Sequence, residues 1–208
     1  MSKLTNANKN FKLVLTSGNL KFQKIDHWLE KESNLYITEI NNKKKRYPKL
    51  KRGTIVKVDF GVNPGSELCH THFAIVISKD DNCSKESIIV LPLTSKPGVG
   101  RLPLNNLIKD EIIKKIKEKY TPNPTDVQAL TDIISEYKKY KNFSYAFISQ
   151  ITTISKSRLI YSKNKFDIIN KARCSDEILN KIDNEIVSTI TGINLLSVSS
   201  KEKITVNS

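Results

Sequence analysis

The chain has 208 residues, 35 of them Lys or Arg against 21 Asp or Glu, and carries a formal charge of +14. That length holds one domain with additions or two small ones, and the cationic excess suits either a solvated Lys-rich surface or a polyanionic partner. There is no apolar run of the ~20 residues a membrane helix needs and no charged-then-apolar leader, and Cys69, Cys83 and Cys174 make neither a Cys-x-x-Cys pair nor an even framework, so a reducing cytoplasm is the expected home.

Residues 1–17 are polar and mixed and read as a loose arm. From Asn19 to Ile40, the apolar residues Phe22, Ile25, Trp28, Leu29, Tyr36, Ile37 and Ile40 recur at spacings of three and four. That predicts an amphipathic helix with a break near Ser33-Asn34, which either packs back on the rest of the chain or docks a partner. Lys43 to Arg52 holds seven basic residues and Pro48 and reads as a linker placed to touch phosphate.

Three β-rich runs come next, each bounded by Gly, Pro, Asn or Asp. In Thr54–Phe60, Val56, Val58 and Phe60 share one face while Lys57 and Asp59 take the other, as in a half-buried strand. Phe73–Ser78 and Ser87–Ser95 are almost continuously apolar and belong in the middle of a core. A polar loop carrying His70 and His72 joins the first two runs, and a polar loop held beside a strand end is a natural place for chemistry.

After a turn at Pro97–Gly100 and a short extended piece, Arg101–Leu104, apolar residues Leu107, Ile108, Ile112, Ile113, Ile116 and Tyr120 mark a helix ended by Pro122 and Pro124. Thr125 and Gln128 have capping-box spacing and open a second helix through Val127, Leu130, Ile134 and Tyr137. Ser144 to Thr153 returns to strand. Ser175 caps a last helix with the stripe Ile178, Leu179, Ile182, Ile186 and Ile190, and Gly192 stops it. The Ser- and Lys-rich remainder reads as disordered.

Two of these stretches carry a resemblance. The order Arg52-Gly53-Thr54-Ile55-Val56-Lys57-Val58-Asp59-Phe60, then Gly65-Ser66-Glu67, Ala74-Ile75-Val76-Ile77 and Ile89-Val90-Leu91-Pro92-Leu93-Thr94-Ser95 resembles the PemK/MazF family of toxins. Ile148-Ser149-Gln150-Ile151-Thr152-Thr153-Ile154-Ser155-Lys156-Ser157-Arg158-Leu159 is similar to that family's second signature. The resemblance implies an α+β protein with an SH3-like β-barrel core. It also implies a homodimer, metal-independent cleavage of single-stranded RNA, no cofactor, and neutralisation by a cognate antitoxin. On that frame, residues 1–51 are an N-terminal helical extension and basic linker. Residues 52–195 are the barrel domain, with a helical hairpin inserted at about 105–141 and a C-terminal helix, and 196–208 are a tail. Compact relatives have a shorter connection where the hairpin falls.

Metal-independent RNA cleavage needs a base for the 2′-hydroxyl proton, an acid for the leaving 5′-oxygen, and donors or cations around the phosphorane. The resemblance implies central roles for an Arg in the loop after the first strand and for a Thr ending the third. Thr94 matches the Thr; counted from Gly65-Ser66-Glu67, the Arg position falls on His72 and the Pro after it on Phe73. A histidine, with an unperturbed pKa near 6.5, is the better proton shuttle but lacks a permanent forked grip on phosphate. His70 is placed to assist, and Lys57, Lys96 or Arg101 to supply charge. Gln150, Lys156 and Arg158 match the second signature and are expected to hold the barrel or line an RNA groove, Arg158 first for phosphate. Tyr145, Phe147 and Tyr161 offer stacking faces, although strand aromatics more often pack in a core.

Cys69-His70-x-His72 also invites a metal reading. The remaining histidine, His27, falls in a remote predicted helix, and completing a site would take Cys83 or the Asp80-Asp81 loop, so no metal is expected. A competing reading keeps the same barrel as a module that binds RNA or inhibits a protein partner without cleaving. The missing Arg favours it; Thr94, the two histidines and the charge favour the nuclease.

Overall fold

Strand formation follows alternation and turn chemistry in a computed structural model that describes residues 2–41, 46–106, 110, 112–120, 123–140 and 144–193. Strands β1 (Ile55–Asp59), β2 (Thr71–Val76) and β3 (Ser87–Thr94) pair antiparallel in succession, with Val58 opposite His72 and Ala74 opposite Pro92. The expected single strand at 144–153 is two short ones. β5 (Tyr145–Phe147) and β6 (Thr152–Ser155) are separated by a 3-10 turn over Ile148–Gln150. Both lie along the edge of β3 that faces away from β2: β5 pairs Leu93 and Thr94, β6 pairs Ser87 to Val90. The turn takes up the change of register between the two ladders. Strand β4 (Arg101–Pro103) pairs with the outer edge of β5.

These six strands form one antiparallel sheet of order β1-β2-β3-β5-β4 with β6 beside β3, and the sheet is not closed. The expected barrel is thus corrected to an open sheet. Its β1 edge is covered instead by the chain downstream of β6. Ile160 N donates to Lys57 O, Asn170 N to Ile55 O, and Ile55 N to Ala172 O, beside isolated bridges Val58–Leu159 and Thr54–Arg173. An irregular cover satisfies the edge donors and acceptors that a closed ladder would otherwise pair.

The alternation of β1 sends successive side chains into two cores. Val56, Val58 and Phe60 pack with Ala74, Val76, Ile88, Val90, Ile154 and Leu159 on one face. Ile55, Ile75, Leu91 and Leu93 pack on the other, under α3 (Ile112–Lys119), α4 (Val127–Lys138) and α5 (Asp176–Thr191). Helices α3 and α4 lie in the chain between β4 and β5. Leu107, Ile108 and Pro122, which framed the predicted helix here, lie outside the described residues, as does the segment 196–208.

Helix ends follow local chemistry. Ser175 accepts from Ile178 N and Gly192 closes α5 in the left-handed conformation, as the sequence predicts. The Thr125–Gln128 capping box does not form: Thr125 bonds Asn123 Oδ1 and Gln128 bonds Asp132 Oδ1. The cap position is Asp126, whose carboxylate is held by Lys165 instead.

At the N-terminus the expected loose arm is a helix, α1 (Lys3–Thr16), capped by Ser2. A separate 3-10 turn at Leu20–Phe22 leads into α2 (Ile25–Asn41), which runs unbroken through Ser33-Asn34. Only the start of α2 reaches the core: Ile25 and Trp28 are buried, while Tyr36, Ile37 and Ile40 are exposed.

Candidate active site

The loop between β1 and β2 is tied down at several points. Phe60 N donates to His70 O and His70 N to Gly61 O, which extends the hairpin ladder beyond the strands. Asn63 Nδ2 bridges the carbonyls of Phe60 (3.0 Å) and Leu68 (2.8 Å), and Leu68 N donates to Gln150 Oε1 (3.2 Å). Gln150 therefore anchors the loop. Gly61 (φ +80°) and His70 (φ +67°) both adopt the left-handed conformation, uncommon for a histidine. A Cβ at Gly61 would come within 2.3 Å of the Trp28 ring, so only glycine lets α2 settle on this loop.

His72 sits at the head of β2, and continuing the β2–β3 register by two residues sets it across from Thr94. It is half-buried, with its ring edge-on to Phe60 (centroids 6.4 Å). Its Nδ1 lies 3.2 Å from Leu93 O; a carbonyl only accepts, so Nδ1 carries the proton and Nε2 is the basic nitrogen of the neutral ring. Burial pulls the His72 pKa below its ordinary 6.5; the carbonyls of Leu93 and Cys69 oppose this, and the charges of His70 and Lys96 add to the lowering. The outcome is an imidazole that is neutral near neutrality and ready to accept a proton.

Thr94 ends β3, and its Oγ1 accepts from Lys96 N (3.2 Å), which leaves the hydroxyl proton free to donate elsewhere. Arg101 packs over the same turn, with Nη1 donating to Lys96 O (3.0 Å) and Pro97 O (3.1 Å) and its guanidinium on the Phe147 ring (4.4 Å). His72, Thr94 and Lys57 line one cavity of about 490 Å³, together with Phe73, Ser95, Tyr140 and Ser144.

Other expected site residues lie elsewhere. His70 lines a different cavity, with His27, Trp28 and Lys31 of α2. The left-handed turn at His70 removes the extended geometry that would set the two histidines on one side. His27 is correspondingly not remote from that loop. Arg158 is engaged by α2: its guanidinium lies over Trp28 (5.0 Å), 3.7 Å from Glu32, with a long contact to Phe60 O (3.5 Å). Of the two roles expected for Lys156, its surroundings favour holding the fold over an RNA contact. It is 1% exposed and pairs with buried Asp81 at 2.7 Å, donating also to Asn82 O (3.0 Å), so it is unavailable to a phosphate. Of the possible stacking residues, Tyr145 pairs Thr94 across the ladder and Phe147 carries Arg101, while Tyr161 is half-exposed. Among the described residues no group of three or more His, Cys, Asp and Glu side chains is placed to hold a metal ion.

Sequence reading missed Tyr140 and Glu136, which α4 and the turn after it bring beside Lys57. The spacing of Tyr137 and Tyr140 was the available signal. Two aromatics three apart at a helix end share a face, so a buried first ring predicts a second near the same surface.

The family profile described as PemK-like, MazF-like toxin of type II toxin-antitoxin system matches residues 51–189, and the chain belongs to this family. The match spans all six strands and helices α3 and α4, and stops within α5. No curated protein matches the chain. Among the described residues no helix is long and apolar enough to cross a membrane.

Proposed function

We propose that the chain is the toxin of a type II toxin–antitoxin pair, and that it cleaves single-stranded RNA without a metal, in the cytoplasm. The observation that carries this is the convergence of His72, Thr94 and Lys57 on one cavity at the adjoining ends of β2 and β3. His72 Nε2 takes the proton of a ribose 2′-hydroxyl, and the freed oxygen attacks the adjacent phosphorus. The Thr94 hydroxyl donates to a non-bridging oxygen as charge builds there, and cationic side chains around the cavity offset the charge. The 5′-oxygen leaves and is protonated by solvent at the mouth of the cavity. The products are a 2′,3′-cyclic phosphate and a 5′-hydroxyl. A cognate antitoxin and a second copy of the chain are the proposed protein partners, on family grounds.

A second reading, RNA or protein binding without cleavage, is favoured by one feature: His72 is tethered to a backbone carbonyl as a structural histidine would be. Incubating pure protein with labelled single-stranded RNA in EDTA separates the two. Discrete fragments ending in 2′,3′-cyclic phosphate are expected, and intact RNA beside measurable RNA binding would select the second reading.

A further inference from the structure

The cavity that holds His72 and Thr94 is walled on one side by a residue that the sheet does not supply. Tyr140 comes from the turn after α4, and Ser144 from the end of the same β4–β5 connection. Tyr140 packs against other aromatic rings. Tyr137, one turn earlier, is buried and donates to Asp167 Oδ1 (2.7 Å), which fixes the end of α4. The Tyr140 ring then meets Phe73 edge-on (4.9 Å, 73°) and Tyr137 at a tilt (5.8 Å, 47°), so neither neighbour lies flat on it.

Among the described residues, the contacts of the Lys57 ammonium beside it are long, the Phe73 ring centroid lying 6.0 Å away. Lys57 Nζ is 3.5 Å from the Tyr140 hydroxyl and 3.9 Å from Glu136 Oε1, beyond the roughly 2.7–2.9 Å of a settled charge-assisted hydrogen bond. A half-buried ammonium with loosely held partners, an aromatic ring not stacked face to face, and serine hydroxyls at Ser95 and Ser144 line the same space. Its volume of about 490 Å³ falls in the range of small-ligand sites, roughly 300–1,000 Å³.

We infer that the β4–β5 helical connection completes a nucleobase subsite, in which a guanine next to the scissile phosphate stacks on Tyr140 and is read by Lys57 and Glu136. This rests on the cleavage reading above for the position of the phosphate. Stacking on an aromatic side chain is how proteins hold unpaired bases, and it is indifferent to sequence. The choice of base comes from the edge. An ammonium donates and never accepts, so Lys57 prefers the adjacent O6 and N7 acceptors of guanine. Glu136, an acceptor, faces the opposite demand and suits the N1 and N2 protons of the same base. Adenine presents a donor where O6 would be and cytosine a donor at N4, while uracil offers one acceptor, O4, and one donor, N3–H, where guanine offers two of each.

The test uses the full chain and labelled hexaribonucleotides, 2′-O-methylated to prevent cleavage, each with a single G, A or U in a cytidine background. Fluorescence anisotropy reads their binding. Wild type should hold the G oligonucleotide about five- to a hundredfold more tightly than the others. Tyr140→Ala should weaken binding of all of them by about five- to a hundredfold, and Tyr140→Phe should restore it. Tyr140→Leu keeps apolar packing against Phe73, and so reads the loss of stacking if the alanine variant fails to fold. Lys57→Met should erase the preference for G while the dependence on Tyr140 persists. Wild-type affinity and base ranking in folded Tyr140→Leu, or no preference for G in wild type, would overturn the subsite and leave the cleavage reading standing. Binding through Tyr140 without cleavage of unmodified RNA supports the subsite and overturns the cleavage reading. Failure of wild type to bind any of the oligonucleotides overturns both.

Discussion

Replacing Lys156 tests whether the second signature serves the fold or the RNA. The lysine side chain is fully buried and its partner Asp81 nearly so, with Nζ 2.7 Å from Asp81 Oδ1. The pair fastens three segments. Lys156 Nζ also donates to Asn82 O (3.0 Å) and lies 3.4 Å from Pro48 O, while Asp81 Oδ2 accepts from Leu50 N (2.8 Å). Lys156→Met keeps the volume but leaves a buried carboxylate without its cation. Breaking a buried pair from one side costs about 3–5 kcal/mol. Against a typical total of roughly 5–15 kcal/mol, that is a large fraction. Adding Asp81→Leu removes the orphaned charge and should recover much of the loss, though Leu50 N then loses its acceptor at about 1–3 kcal/mol. Urea denaturation of wild type and the two variants reads the differences, and anisotropy below the transition reads RNA affinity. A stability loss under about 1 kcal/mol in Lys156→Met, or weakened RNA binding by a fully folded Lys156→Met, would refute the assignment.

The His72 pKa is lowered mainly by burial, so the pH–rate profile should bend below 6.5 and run flat above it; His72→Gln should remove most turnover together with the bend. The same shift bears on stability. The unfolded ring takes a proton first as pH falls, so stability is full above 6.5 and declines as pH drops toward the lowered folded value, a slope that chemical denaturation from pH 7.5 to 5 should show and His72→Gln should lack. Thr94→Val keeps shape and removes the donor, and should slow cleavage by about a hundredfold with an unchanged melting temperature; equal turnover would sink the phosphate role. Gly61→Ala forces a Cβ to 2.3 Å from Trp28 and a positive φ on alanine, costing about 2–4 kcal/mol and shifting the emission of the single tryptophan to the red; unaltered emission and stability would contradict the close approach.

What the sequence could show depended on how local the determining physics is. The three central strands were legible because alternation in β1 and continuous apolar runs in β2 and β3 report burial directly. Helix α5 was legible from both caps. The split of 144–155 was not, because nothing in Ser144–Thr153 says that two strands must share one edge of β3. Helix α1 was hidden by Asn and Lys at positions where an amphipathic pattern would show apolar residues, and it buries none of its side chains. Motif order singled out Thr94 and His72 as candidates, and the cavity they share is a consequence of strand register. The burial of Lys156 was not readable. A basic residue in a signature reads as a surface cation until Asp81, 75 positions earlier by their numbers, is found against it.

Helix α2 and the β4–β5 connection bear on different parts of the proposed site. Helix α2 claims Arg158, laying Trp28 on its guanidinium and Glu32 beside it, while Lys31 of the same helix pairs with Asp59 at the end of β1. An arginine held between an aromatic ring and a carboxylate has part of its charge already answered, so it contributes less to a phosphate than a free one would. The helical connection between β4 and β5 does the reverse. It brings Tyr140 and Glu136 to Lys57 without closing on it, leaving a cation in the cavity with Thr94. On the proposed nuclease reading, with His72 where the resemblance implies a loop arginine and Arg158 engaged by α2, phosphate and base recognition would fall on the side of the sheet that α4 covers. That placement would then give a physical reason for His72 at this position. On that proposal, with the cation from Lys57 of β1 and the stacking surface from the β4–β5 connection, the head of β2 is free to carry a group that titrates.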